Sequence, residues 1–201
     1  MTNSVERLSP GIAERPGEYD LSTLAPVLVP RTFSETGQWP GPIYQLAAAD
    51  FDLTWAILGS DDSVTYVSRV MQAHWESRGE DWQGRAELNL RVLAEAEPFS
   101  HVRTRPDGSA YLVIMLYGQN LGPSRLLVRG LLNDTFPDGY MVAVPEQTCA
   151  VAFTSDPTGE EAVAIAALIT GLFERGSEPV STARYAPETL WELSSGDLGS
   201  D

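Results

Sequence analysis

The sequence predicts an α+β protein: mixed, largely antiparallel sheet built from hairpins, with three to four packed helices. Three observations carry this. Short runs of alternating apolar residues are separated by tight-turn chemistry at Gly59-Ser60-Asp61-Asp62, Pro106-Asp107-Gly108 and Pro137-Asp138-Gly139. Stretches with a 3.6-residue apolar period stand at 81–95 and 157–175. The regular strand–helix alternation of a doubly wound sheet is missing.

Residues 1–20 are polar, carry Pro10, Gly11, Pro16 and Gly17, and read as a flexible arm. Leu24 to Val29 is a short apolar run closed by Pro30, a strand suited to a sheet edge. Residues 32–42 end in Trp39-Pro40-Gly41-Pro42 and read as loop. Residues 43–49 fit a strand or a helical turn. Phe51, Leu53, Trp55 and Ile57 alternate onto one face of a strand that returns as a hairpin through 64–67. Ser68 can cap a short helix over 69–75. The helix over 81–95 places Trp82, Ala86, Leu90 and Leu93 on one side.

Residues 99–105 and 110–117 form the next hairpin. Residues 124–132 read as one helix with Leu126, Leu127, Leu131 and Leu132 inward. Two more strands, 140–144 and 149–153, follow. Asp156 is the expected N-cap of the clearest helix, with Pro157 at its first position and Glu160 and Glu161 at the positive end of its dipole. Ala162, Ile165, Ala166, Ile169, Leu172 and Phe173 form its buried stripe, and Arg175 and Gly176 close it. Residues 179–183 read as a short strand. Residues 185–193 fold back through Leu190 and Trp191, and 194–201 as a flexible tail. The organisation is one α+β domain over 21–193, or two halves meeting near residue 97.

The chain has 201 residues, 28 of them acidic and 13 basic, for a formal net charge of −15. Every basic residue is an arginine. Such a charge repels phosphate, so no nucleic acid and no anionic membrane is expected as partner. It suits solubility first, then an acidic face for a basic partner, then nucleic-acid mimicry. The acids are scattered rather than arrayed in the rows that mimicry needs. A single cysteine, Cys149, excludes a disulfide scaffold and points to the cytoplasm. The first twenty residues lack the basic start and apolar centre of a signal peptide.

Several short segments resemble a known family. They are Tyr66-Val67, Ala86 with Asn89-Leu90, Ser124 with Leu126-Leu127, Val142-Ala143 with Pro145, and Gly196-Asp197. Over residues 20–197 these resemble the bacterial family called domain of unknown function 1444. The resemblance implies a fold and a cytoplasmic setting, and no activity. After the proline that family tends to carry a small residue, Arg and Asp, where this chain has Glu146, Gln147 and Thr148.

No phosphate loop, nucleophile elbow or dinucleotide fingerprint is present, so no cofactor is expected. Cys149 sits among Ala150, Val151 and Ala152 and reads as a small buried hydrophobe. His74 and His101 are the only histidines, and no ligand spacing joins them, so no metal site is expected. The one polar constellation is His101, Arg103 and Arg105, alternating along one strand and projecting to one face. They are the candidate binding residues, for an anion or a partner's carboxylates. No catalytic residues can be assigned.

The first functional reading is a non-catalytic protein–protein interaction module using an exposed apolar and aromatic patch; Trp39, Trp75, Trp82 and Trp191 are more aromatic surface than a minimal core needs, with core burial the expected use of each. The second is a small-molecule or anion-binding protein, or an enzyme, with a pocket between two halves. The third is an acidic inhibitor or immunity-type protein for a basic partner.

Overall fold

A computed structural model describes residues 20–35, 39, 41–46, 49–59, 63–96, 99–116 and 121–191. The N-terminal arm up to residue 19, the turn at 60–62, the boundary near 97, the side chain of Trp191 and the 194–201 tail lie outside the described residues. The described part is α+β with two antiparallel sheets of four strands each. It carries seven helices rather than three or four, because four of them, of seven residues or fewer, were not separable in the sequence.

In the first sheet β3 (Phe51–Leu58) is central. β1 (Leu24–Pro30) pairs one side of it, from Leu24 opposite Ile57 to Pro30 opposite Phe51. β2 (Tyr44–Gln45) and β4 (Val64–Tyr66) share its other side. The edge position of β1 suits Pro26 and Pro30, which have no N–H to offer a second neighbour. Alternation in β3 suggested one buried face, yet both faces are covered. Asp52 and Thr54, on the supposedly outer face, are fully buried. Each is satisfied: Asp52 accepts from Arg31 Nε at 3.3 Å and Ser34 Oγ at 2.6 Å, and Thr54 Oγ1 donates to the Pro42 carbonyl at 2.7 Å. The helical turn α1 (Thr32–Glu35) holds Ser34 in place, where loop was expected.

α2 (Arg69–Ser77) starts at Ser68, whose hydroxyl accepts from Met71 N. α3 (Trp82–Ala96) buries Trp82, Ala86, Leu90 and Ala94. It lies along β1, and Asn89 Nδ2 donates to the Leu21 and Leu24 carbonyls at 2.7 and 2.8 Å. Trp55, Trp75 and Trp82 pack together, with ring centroids 5.1 and 5.9 Å apart. Trp75 and Trp82 are therefore core residues, the use expected of each, and neither contributes to an exposed patch.

The second sheet has the order β5-β6-β8-β7, from β5 (His101–Thr104), β6 (Ala110–Leu116), β7 (Tyr140–Glu146) and β8 (Cys149–Thr154). Gly108 and Gly139 take φ of +88° and +101° in the two predicted turns, conformations that favour glycine. One apolar cluster draws from both sheets: Leu28 and Phe51 meet Val113, Met115, Val142 and Ala150, with Leu126, Leu132, Tyr185 and Leu190 around them. Each buried aliphatic side chain of this kind contributes about 1.5–3 kcal/mol.

The helix expected over 124–132 is broken into α4 (Leu121–Ser124), a tight turn over Arg125–Leu127 and α5 (Arg129–Thr135). The break falls at Val128, with φ −98° and ψ 76°. Packing explains it. Leu126 and Leu132 are both fully buried in the same cluster. On a straight helix they would point about 120° apart.

α6 (Gly159–Arg175) covers the outer face of the second sheet through Ile165 and Ile169, against Leu112, Val151 and Phe153. Its N-cap is Thr158, not Asp156. Thr158 Oγ1 accepts from Glu161 N, and Glu161 Oε2 accepts from Thr158 N at 2.8 Å, a capping box that only Thr158 can form with Glu161. Gly176 does not take the left-handed conformation. Its φ is −64°, and a Cβ there would stand 2.4 Å from Glu146 Cγ, so close packing is what requires glycine. Beyond α6 the chain runs along β7: Val180 N donates to the Pro145 carbonyl, Ser181 N to that of Val144, and Tyr185 and Val142 exchange both backbone bonds. The helix α7 (Pro187–Trp191) follows, with Leu190 buried.

Candidate functional site

β5 is the edge of the second sheet opposite β7, and all four of its residues are exposed. Among the described residues nothing hydrogen-bonds to its outer side. His101 pairs with Ile114 and Arg103 with Leu112, so both project to the face that carries α6. Neither side chain makes a hydrogen bond or ion pair with a described residue. Beside them Val102 is 49% exposed.

Arg105 departs from the expected row. It lies just past the strand, after a register shift between Arg103 and Thr104. Its Nε and Nη2 each donate to a Glu161 carboxylate oxygen at 2.8 Å, and Nη2 also reaches the Asp156 carbonyl at 3.2 Å. This bidentate pair fastens the β5–β6 hairpin to the first turn of α6. The Arg105 guanidinium, with the Thr158 N–H behind it, holds the Glu161 carboxyl down to about 2. Arg105 is thus engaged inside the fold, while His101 and Arg103 stay open to solvent.

Among the described residues, two of the clefts on the second sheet are lined by residues beyond 97. One, of about 310 Å³, includes Cys149, Glu146 and Arg175. Burial, with the Glu146 carboxylate adding to it, pushes the Cys149 thiol up to about 12, so it is no nucleophile at neutral pH. Glu146 is itself buried, and its Oε2 accepts from Thr148 N at 2.8 Å and from Thr148 Oγ1 at 2.6 Å. The other cleft, of about 470 Å³, lies between α5, the start of β7 and α7. Sequence reasoning missed it, since Arg129, Tyr140 and Glu188 are joined by no local pattern.

His74 is half-buried in the last turn of α2. Among the described residues no three His, Cys, Asp or Glu side chains converge as metal ligands do. No described helix is long and apolar enough to cross a membrane.

No protein-family model, curated protein or solved structure matches the chain. Ala86, Leu90, Leu126, Val142 and Ala143, among the short sequence segments singled out above, are all buried. They are packing positions, which speak to fold and not to a site.

Proposed function

We propose that the protein is a non-catalytic interaction module of the cytoplasm that takes an acidic, extended segment of a partner protein as a further strand on β5. The supporting observation is the exposed edge of β5, which among the described residues has no strand on its outer side and no partner for the His101 and Arg103 side chains. Strand addition draws affinity from main-chain hydrogen bonds and specificity from alternate side chains. His101 and Arg103 are two residues apart, so carboxylates at alternate positions of the incoming strand meet both. The net charge of −15 does not cancel this locally, because charges beyond about 8 Å are largely screened at physiological salt.

The test is hydrogen exchange on the protein with a co-purified partner. The amides of residues 101–104 exchange more slowly in the complex, and Arg103→Glu abolishes partner binding without unfolding the protein. A partner that leaves those amides unprotected, or still binds Arg103→Glu, overturns the proposal.

A further inference from the structure

Successive side chains of a strand added to β5 point to opposite faces of the sheet, and at this edge the two faces differ in chemistry. On the face that carries α6 stand His101 and Arg103, both exposed and neither with a partner among the described residues. On the other face stands Val102, 49% exposed, opposite the fully buried Val113 of the core that joins the two sheets. The cation that would extend the row is taken, since Arg105 donates from Nε and Nη2 to Glu161. Regular pairing also ends there, at the register shift between Arg103 and Thr104. In register, the edge offers two cations with one apolar side chain between them.

A second copy of the chain is a poor occupant. When two β5 strands pair antiparallel, opposed residues share a face, so the His101–Arg103 row of one copy lies against the same row of the other. Like charges directly opposite are destabilising, whereas a strand with carboxylates in that row gains from both.

We infer that β5 selects the pattern acidic–apolar–acidic, with the carboxylates against His101 and Arg103 on the α6 face and the apolar side chain against Val102 on the other. The inference rests on the strand-addition reading and deepens it by fixing the number and spacing of the acids. A third acid two residues further along falls beside Phe99 or beside an Arg105 already neutralised by Glu161, and adds nothing. Undirected attraction to basic side chains would instead grow with every added acid.

Titration of the full chain with blocked peptides, with hydrogen exchange to locate them, tests this. Thr-Thr-Glu-Val-Glu-Thr-Thr slows exchange of the amides of residues 101–104. Its isomer Thr-Thr-Val-Glu-Glu-Thr-Thr binds at least about threefold more weakly, the scale of one exposed ion pair. Adding a third acid, in Thr-Thr-Glu-Val-Glu-Thr-Glu, changes affinity by no more than about twofold. The double variant His101→Glu with Arg103→Glu, altered only at exposed side chains, prefers the Lys-Val-Lys peptide to Glu-Val-Glu. A smaller preference over the isomer, a larger gain from the third acid, or an unreversed preference in the double variant overturns the inference while strand addition stands. If Glu-Val-Glu at about 5 mM leaves those amides unprotected but a co-purified partner protects them, the inference alone falls; if neither protects them, the strand-addition reading falls with it.

Discussion

β7 and β5 both end the second sheet, yet one is covered and the other is not. Along β7 the chain between α6 and α7 supplies backbone bonds from Gln147 to Val142. Tyr185 then locks that segment to the first sheet. Its ring packs edge-on to Phe51 at 5.5 Å, and its hydroxyl donates to Asp50 Oδ2 at 3.0 Å. Ser181 Oγ donates to the same carboxylate at 2.5 Å. Among the described residues β5 has only its partner β6 and the Arg105–Glu161 clasp at its end. β1, one edge of the first sheet, is flanked by α3, and β2 with β4 forms its other edge. Proteins commonly blunt open edges because a free edge pairs with other chains. One edge left open beside covered ones is therefore informative, and it is the feature on which the interaction reading stands.

Substitutions can break or sharpen that contrast. The largest effect belongs to Tyr185→Ala, which removes a buried ring at the join of the two sheets. It lowers unfolding free energy by about 3–5 kcal/mol, read from urea denaturation. A loss below about 1 kcal/mol would mean that the covered edge is not what ties the sheets together.

Glu161→Gln sits between the two edges in effect. The Glu161 carboxyl lies well below its ordinary 4.5, at about 2, so its contribution to stability is complete above about pH 4.5 and lost as pH falls towards 2. The variant flattens the acid limb of the stability–pH curve in that window and speeds amide exchange in the 105–109 hairpin. An unchanged acid limb would show that the clasp does not hold β5.

The smallest effect is on the bare edge itself. Val102→Ala changes stability by no more than about 0.5 kcal/mol in the same urea experiment, since the residue is half exposed. A loss above about 1 kcal/mol would mean that β5 is covered in solution, and would remove the basis for strand addition.

Much of the fold was legible because its signals are local. Gly108 and Gly139 follow Pro-Asp and take positive φ, Ser68 caps α2, and the run Phe51 to Leu58 is β3 without a residue's error. Where two local signals compete, the capping box prevails: Asp156-Pro157 has the look of a helix start, but Thr158 and Glu161 stand three residues apart and close the box on each other. The site was less legible. His101 and Arg103 could be read from alternation, but a bulge and Glu161, 56 residues away, removed Arg105 from the row. The cleft at Tyr140 left no trace in sequence, because its residues come from three elements.

The sequence by itself determined the class of fold, most strand and helix positions, and the strongly acidic character that argues against phosphate-rich partners. These follow from period, turn chemistry and composition, which act between near neighbours. Only the tertiary structure decided that β3 is buried on both faces and that residues 121–135 break into short helices. It alone decided which edge stays open. Each of these depends on which surfaces meet, and residues far apart in the chain must be packed together before any one of them has a partner or lacks it.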